Sequence, residues 1–122
     1  MQHVVLCGHT GCGGVAAALG QGSVGSVLDS WLLPVRKLRR THAKELAGME
    51  ADARAKFLIK ENVKQGVVSL RDMGIITEAI AERGLDVHGV VYDIGTGLVE
   101  VVEGCDEDEE YKQHRKGIFE VK

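Results

Sequence analysis

The residues best suited to chemistry are His9 and Cys12, which stand three positions apart in the segment Gly8-His-Thr-Gly-Cys-Gly-Gly14. An imidazole nitrogen and a thiolate sulfur are typical zinc ligands, held at about 2.0–2.3 Å from the ion. Glycine tolerates backbone conformations that other residues avoid, so this segment can bend enough for both side chains to reach one ion. The pattern predicts two ligands of a zinc site.

A third ligand is needed, since a catalytic zinc usually takes three from the protein. Cys7 lies two residues before His9, and alternate residues of a strand share a face, so Cys7, His9 and Cys12 form one conceivable trio. The other interpretation places Cys7 in the core of the sheet. Cys105, the remaining thiol, lies in an acidic run beyond the last expected strand and would have to fold back a long way.

Plainer interpretations of these residues stay open. His9 would hydrogen-bond a backbone carbonyl, and Cys12 would pack as a small apolar side chain. The other histidines are interpreted as ordinary strand, surface or tail residues: His3, His42, His88 and His114. A nucleotide site is not expected, because no Lys-Ser or Lys-Thr pair follows the glycines, and the G-x-G-x-x-G letters of residues 20–25 follow a helix instead of a strand.

Strand and helix patterns alternate around this segment. Residues 4–7 form a short β-branched run, and residues 15–19 favour a helix. Further helices are expected over 26–38, over 41–73 with an interruption near Gly48, and over 75–83 with Gly84 at the end. Two strands, 87–94 and 98–102, are joined through Gly95-Thr-Gly97 as a hairpin. The fold class is α/β: a mostly parallel sheet flanked by helices, with a late antiparallel hairpin.

Composition narrows the class of protein. The 122 residues have 44% hydrophobic content and fit one globular domain, taken as residues 1–104, with residues 105–122 as a charged tail. Residues 1–102 carry 11 basic and 11 acidic side chains, so the net charge of −3 arises in residues 103–122, which carry 4 basic and 7 acidic side chains. With no basic stripe and 4% aromatic residues, nucleic-acid binding is not expected.

No apolar run approaches the roughly 20 residues that span a bilayer, and no signal-peptide pattern opens the chain. We therefore expect a cytoplasmic protein without membrane association. The odd number of cysteines favours thiols or metal ligands over a disulfide framework.

Three segments resemble the β-class carbonic anhydrases. Residues 4–15, Val-Val-Leu-Cys-Gly-His-Thr-Gly-Cys-Gly-Gly-Val, are similar to the strand and turn that carry Gly-His-x-x-Cys-Gly-Gly in that family. Residues 61–67 resemble its Asn-Val-x-x-Gln-Val helix, with Gly66 where the family often has glutamine. Residues 85–98 resemble its late strand and hairpin. The resemblance covers residues 1 to about 103.

The resemblance implies reversible hydration of carbon dioxide to bicarbonate, with zinc as cofactor and His9 and Cys12 as the second and third zinc ligands. The first ligand in the family is a cysteine in a Cys-x-Asp-x-Arg segment, whose Asp and Arg pair beside the metal. No such segment occurs in these residues, so no catalytic residue is assigned and a truncated family fold is expected. No organic cofactor is expected.

Two functional hypotheses follow. In the first, the chain is a β-carbonic anhydrase polypeptide whose zinc site is incomplete and whose hydratase activity is low or absent. In the second, it is a truncated non-catalytic relative that acts by self-association or by binding a full-length paralogue. Either hypothesis is compatible with a homodimer or a higher oligomer.

Overall fold

The computed structural model describes residues 1–102 of the chain. The boundary expected between residues 104 and 105 lies outside this range, as do Cys105 and His114. None of the helices within the described residues is both long and apolar enough to cross a membrane.

A three-stranded sheet carries the residues singled out above. Its strands are β1 (His3–His9), β2 (Asp86–Tyr92) and β3 (Val99–Val101), in the order β1-β2-β3. Strands β1 and β2 run parallel, with His3 opposite Asp86 and His9 opposite Tyr92. Strand β3 returns antiparallel to β2. The expected α/β fold, with a parallel first strand and an antiparallel last strand, is confirmed.

Five helices connect β1 to β2. They are α1 (Gly13–Leu19), α2 (Ser26–Thr41), α3 (Ala43–Ala47), α4 (Ala51–Arg71) and α5 (Gly74–Arg83). The interruption near Gly48 is confirmed, since Gly48 ends α3. Gly84 ends α5 with φ 68°, a left-handed conformation, and its N–H donates to the carbonyl of Ile80. Pro34 lies inside α2, which continues through it.

Helix α4 covers one face of β1 and β2 through a stripe of apolar side chains, whose spacings of four, four and three residues in the sequence predict a helix face that meets a core or a partner. Ile59, Val63 and Val67 are buried, and Leu70 is half-buried against the same core. The spacing of four residues places these side chains on one side of the helix, which is why the stripe meets the sheet. Removing this apolar surface from water supplies the main force that holds β1 in place.

The other face of β1 is not covered in the same way. Its side chains alternate, so that Val4 and Leu6 turn towards α4 while His3, Val5, Cys7 and His9 are exposed. The interpretation of Cys7 as a core residue is therefore wrong, because Cys7 lies on the exposed face. Its expected position on the same strand face as His9 is confirmed.

Candidate metal centre

Two hydrogen bonds attach the turn after β1 to the end of β2 and to the residues that follow it. The backbone N–H of Thr10 donates to the carbonyl of Tyr92 over 2.9 Å, and the Oγ1 of Thr10 accepts from the N–H of Ile94 over 3.0 Å. Gly11 then adopts φ 66°, which bends the chain as the glycine-rich segment predicted. His9 and Cys12 thus stand on either side of a turn held by two hydrogen bonds from Thr10.

His9 is exposed at the end of β1, and one of its ring nitrogens is already engaged. Its Nδ1 lies 2.9 Å from the carbonyl oxygen of Thr10. A carbonyl oxygen only accepts, so Nδ1 carries a proton, and in the neutral imidazole Nε2 then keeps its lone pair. Histidines that bind metals are typically oriented by such a second hydrogen bond. His9 is therefore in the tautomer that binds a metal through Nε2.

Cys12 immediately precedes α1 and carries a free, half-buried thiol. Its side chain packs against the cluster that contains Val15 and Ile59, and its carbonyl accepts the N–H of Ala16 over 3.0 Å. The plainer interpretations of His9 and Cys12 are thus also fulfilled, since one bonds a carbonyl and the other packs on the core. Neither contact occupies the Nε2 of His9 or the Sγ of Cys12, so both atoms can still bind a metal.

Cys7 is not brought into this arrangement by the structure. Its thiol donates to the carbonyl of Gly8 over 3.3 Å. Within residues 1–102, the group of three or more His, Cys, Asp or Glu side chains whose ligand atoms all lie within 4.8 Å of one another is a different one, formed by His3, Asp86 and His88.

This second group was missed in the sequence, where His3 and His88 were interpreted as ordinary histidines. The Nδ1 of His3 lies 3.0 Å from the Nε2 of His88 and 3.9 Å from an Oδ2 oxygen of Asp86. The parallel pairing of β1 with β2 creates the group, because it sets His3 directly beside Asp86. The only signal in the sequence was a polar residue at the start of each of two apolar strands.

Helix α2 holds α1, and with it Cys12, from the far side. The guanidinium of Arg39 donates to the carbonyls of Ala18 and Gly20 over 2.8 and 2.9 Å, which satisfies the open end of α1.

The loop before α2 is fixed by Asp29. Hydrogen bonds to Asp29 from the hydroxyl of Ser23 and then from the N–H of Val24 lower the pKa of this carboxyl.

Comparison with known proteins places these features in a family. A family model described as carbonic anhydrase matches residues 1–99. A carbonic anhydrase of Candida albicans is 36% identical over 105 residues, which are 84% of this chain and 37% of that protein. A carbonic anhydrase of Emericella nidulans is 37% identical over 101 residues, covering 81% of this chain and 44% of that protein. The chain thus spans less than half the length of these curated relatives.

Solved structures are similar over most of the described fold. The β-carbonic anhydrase CafA of the fungal pathogen Aspergillus fumigatus has 44% identity and a TM-score of 0.87, covering 98% of this chain and 56% of that one. A tetrameric β-carbonic anhydrase from the ascomycete Sordaria macrospora has 46% identity and a TM-score of 0.82, covering 84% of this chain and 53% of that one.

Proposed function

The chain belongs to the β-carbonic anhydrase family, and from this premise we propose that His9 and Cys12 are zinc ligands in a site for the reversible hydration of carbon dioxide to bicarbonate. The observation that carries the proposal is the hydrogen bond of His9 Nδ1 to the carbonyl of Thr10. This hydrogen bond leaves Nε2 of His9 available to bind a metal. On the other side of the turn, Cys12 carries a free thiol.

The donor chemistry of this turn fits zinc. A neutral imidazole and a cysteine sulfur are ligands that zinc favours, and both side chains reach solvent, His9 being exposed and Cys12 half-buried. When bound in such a site, zinc lowers the pKa of water towards about 7 and so supplies hydroxide at neutral pH.

The residues around the ligands orient them. Thr10 sets the tautomer of His9 through its carbonyl and ties the turn to the β2–β3 connection through its N–H and its hydroxyl. Gly8 allows β1 to lie close to α4, since a Cβ at this position would stand 2.7 Å from Cγ2 of Val63. These contacts fix the direction in which His9 leaves the strand.

We propose further that the 122-residue polypeptide by itself has low or no hydratase activity. His9 and Cys12 supply two ligands, and the 122 residues contain no Cys-x-Asp-x-Arg segment. Two protein ligands seldom hold zinc tightly, because catalytic sites use three. Cys7, or a residue of another chain, would have to supply the third.

Metal content and activity test both parts. Purified wild-type protein is loaded with zinc, dialysed and analysed for metal, beside His9→Ala, Cys12→Ser and Cys7→Ser. His42→Ala is the matched control, since His42 lies away from the turn, 3.4 Å from a carboxylate oxygen of Glu61. We expect His9→Ala and Cys12→Ser to bind less zinc than wild type, and His42→Ala to bind as much as wild type.

Stopped-flow measurement of carbon dioxide hydration with a pH indicator gives the second readout. A rate above that of buffer which disappears in His9→Ala would show a working site in this polypeptide and would overturn the proposal of low activity. Zinc uptake that is equal in wild type, His9→Ala and Cys12→Ser would overturn the assignment of the ligands.

A non-catalytic role in association is the second candidate, and exposed apolar side chains favour it. On α2, Val27 and Trp31 are 81% and 72% exposed, and on β3, Val101 is 69% exposed. Val27 and Trp31 are four residues apart and so lie on the same side of α2, and exposed apolar patches mark sites of protein association. Light scattering tests it: a concentration-independent monomer that also fails to bind a full-length paralogue would exclude this role, whereas an oligomer that Trp31→Ser dissociates would support it.

A further inference from the structure

A second group of potential metal ligands occupies the exposed face of the sheet at the opposite end of β1 from His9. His3 and Asp86 are neighbours across the two parallel strands, and His88 follows Asp86 by two residues on the same face. His3 and His9 are six strand residues apart, which corresponds to about 20 Å. The group is therefore separate from the turn that carries His9 and Cys12.

The distances within this group are close to those of a metal site. Two ligands at about 2.0–2.1 Å from a tetrahedral zinc lie roughly 3.3–3.4 Å from each other. The Nδ1 of His3 and the Nε2 of His88 are 3.0 Å apart, and the Oδ2 of Asp86 is 3.9 Å from the same Nδ1. The ligand atoms of all three residues lie within 4.8 Å of one another, so shifts of about 1.5 Å or less would bring them to ligand distance.

Burial and charge also suit a cation. The side chain of Asp86 is 11% exposed and so is positioned by its surroundings, whereas the side chain of His3 is 58% exposed and can adjust. Two neutral imidazoles and one carboxylate bring a single negative charge to a divalent ion. Ligands of these types suit zinc and cobalt, and the exposed side of the group leaves room for water as a further ligand.

We propose that His3, Asp86 and His88 form a second site for a divalent transition metal, bound through Nδ1 of His3, Nε2 of His88 and a carboxylate oxygen of Asp86. The metal would tie the beginning of β1 to the beginning of β2. Because an ion that binds only the folded chain stabilises it, metal binding here raises the stability of the sheet. The proposal does not depend on the assignment of His9 and Cys12.

The absorption spectrum of bound Co²⁺ distinguishes the two sites. A thiolate ligand gives Co²⁺ a sulfur-to-metal charge-transfer band in the near ultraviolet, whereas a site of imidazole and carboxylate gives only the weaker visible bands. The metal-free 122-residue chain carrying Cys7→Ser, Cys12→Ser and Cys105→Ser, which replaces all three cysteines, is titrated with Co²⁺ alone, and Zn²⁺ binding is measured by calorimetry. We expect one equivalent to bind without a charge-transfer band.

The same background with His3→Ala, and separately with His88→Ala, removes one ligand at a time. Each change should weaken Zn²⁺ binding by at least about tenfold and abolish the visible cobalt bands. The matched control is His42→Ala, which should leave both unchanged. His3 is mostly exposed, so its replacement should preserve the fold, and circular dichroism checks this; if His3→Ala does not fold, His3→Gln takes its place.

Thermal unfolding supplies an independent readout. Zn²⁺ should raise the melting temperature of the variant without cysteines and should not do so when His3→Ala is added. Absence of binding in the variant without cysteines, or binding that His3→Ala and His88→Ala leave unchanged, would overturn the proposal and show that His3 and His88 are joined by a hydrogen bond alone.

Discussion

Gly8 of β1 lies directly against Val63 of α4, so closely that a Cβ on the glycine would stand 2.7 Å from Cγ2 of the valine. Real Cβ atoms are essentially never found at such a distance, and Val63 is buried and β-branched, which restricts its side chain to one preferred rotamer in a helix. Gly8→Ala should therefore destabilise the chain by about 1–3 kcal/mol, as overpacked cores do. Chemical denaturation measures the change.

Gly13→Ala is the matched control for Gly8→Ala, because a Cβ at Gly13 would meet no atom within 4 Å. Its stability should differ little from that of wild type. Since Gly8 directly precedes His9, Gly8→Ala should also weaken zinc binding. Equal stability of the two variants would contradict the close packing of β1 on α4.

Thr10 offers a test of the turn itself. Thr10→Val keeps the shape of the side chain but removes the acceptor for the N–H of Ile94. The turn then loses one of the two hydrogen bonds that join Thr10 to the end of β2 and to the β2–β3 connection. We expect a loss of about 0.5–1.5 kcal/mol in unfolding free energy and weaker zinc binding. Thr41→Val, which removes a hydroxyl bonded to Lys37 on α2, should lower stability slightly and leave zinc binding unchanged. Unchanged zinc binding in Thr10→Val would show that the turn does not orient the ligands.

Local patterns made much of this fold predictable. The spacing of Ile59, Val63 and Val67 identified the buried side of α4, because apolar periodicity reflects which side of a helix meets the core. The spacing of His9 and Cys12 identified both sides of the turn, and the glycine between them supplied the bend.

Relations between distant parts of the chain were not predictable in the same way. The group of His3, Asp86 and His88 depends on the register of two parallel strands separated by five helices, and local sequence patterns do not specify that register. The exposure of Cys7 was missed for a related reason. A short run of Val, Leu and Cys looks equally apolar on both faces, and only the position of the helices decides which face is covered.

Gly84, at the end of α5, offers a test of the connection between α5 and β2. Gly84 has φ 68°, and a side chain in this left-handed conformation costs roughly 1–2 kcal/mol. Gly84→Ala should lower the unfolding free energy by about that amount. Gly48→Ala is the control, because Gly48 ends α3 at φ −88°, where alanine is unstrained, and should have little effect. A neutral Gly84→Ala would contradict the left-handed end of α5.

Asp29 predicts how stability depends on pH. Its pKa is lowered in the folded chain, first by the hydroxyl of Ser23 and then by the N–H of Val24, so the folded state binds this proton less readily than the unfolded state does. A group of this kind contributes stability that is present above its unfolded pKa, about 3.9, and is lost as the pH falls through its lower folded pKa.

The denaturation midpoint of wild type should therefore exceed that of Asp29→Asn at pH 6, and the difference should shrink as the pH falls below about 4. Ser23→Ala removes the leading hydrogen bond and should reduce the pH-dependent part of the difference. A difference between wild type and Asp29→Asn that is the same at pH 6 and at pH 3 would contradict the lowered pKa.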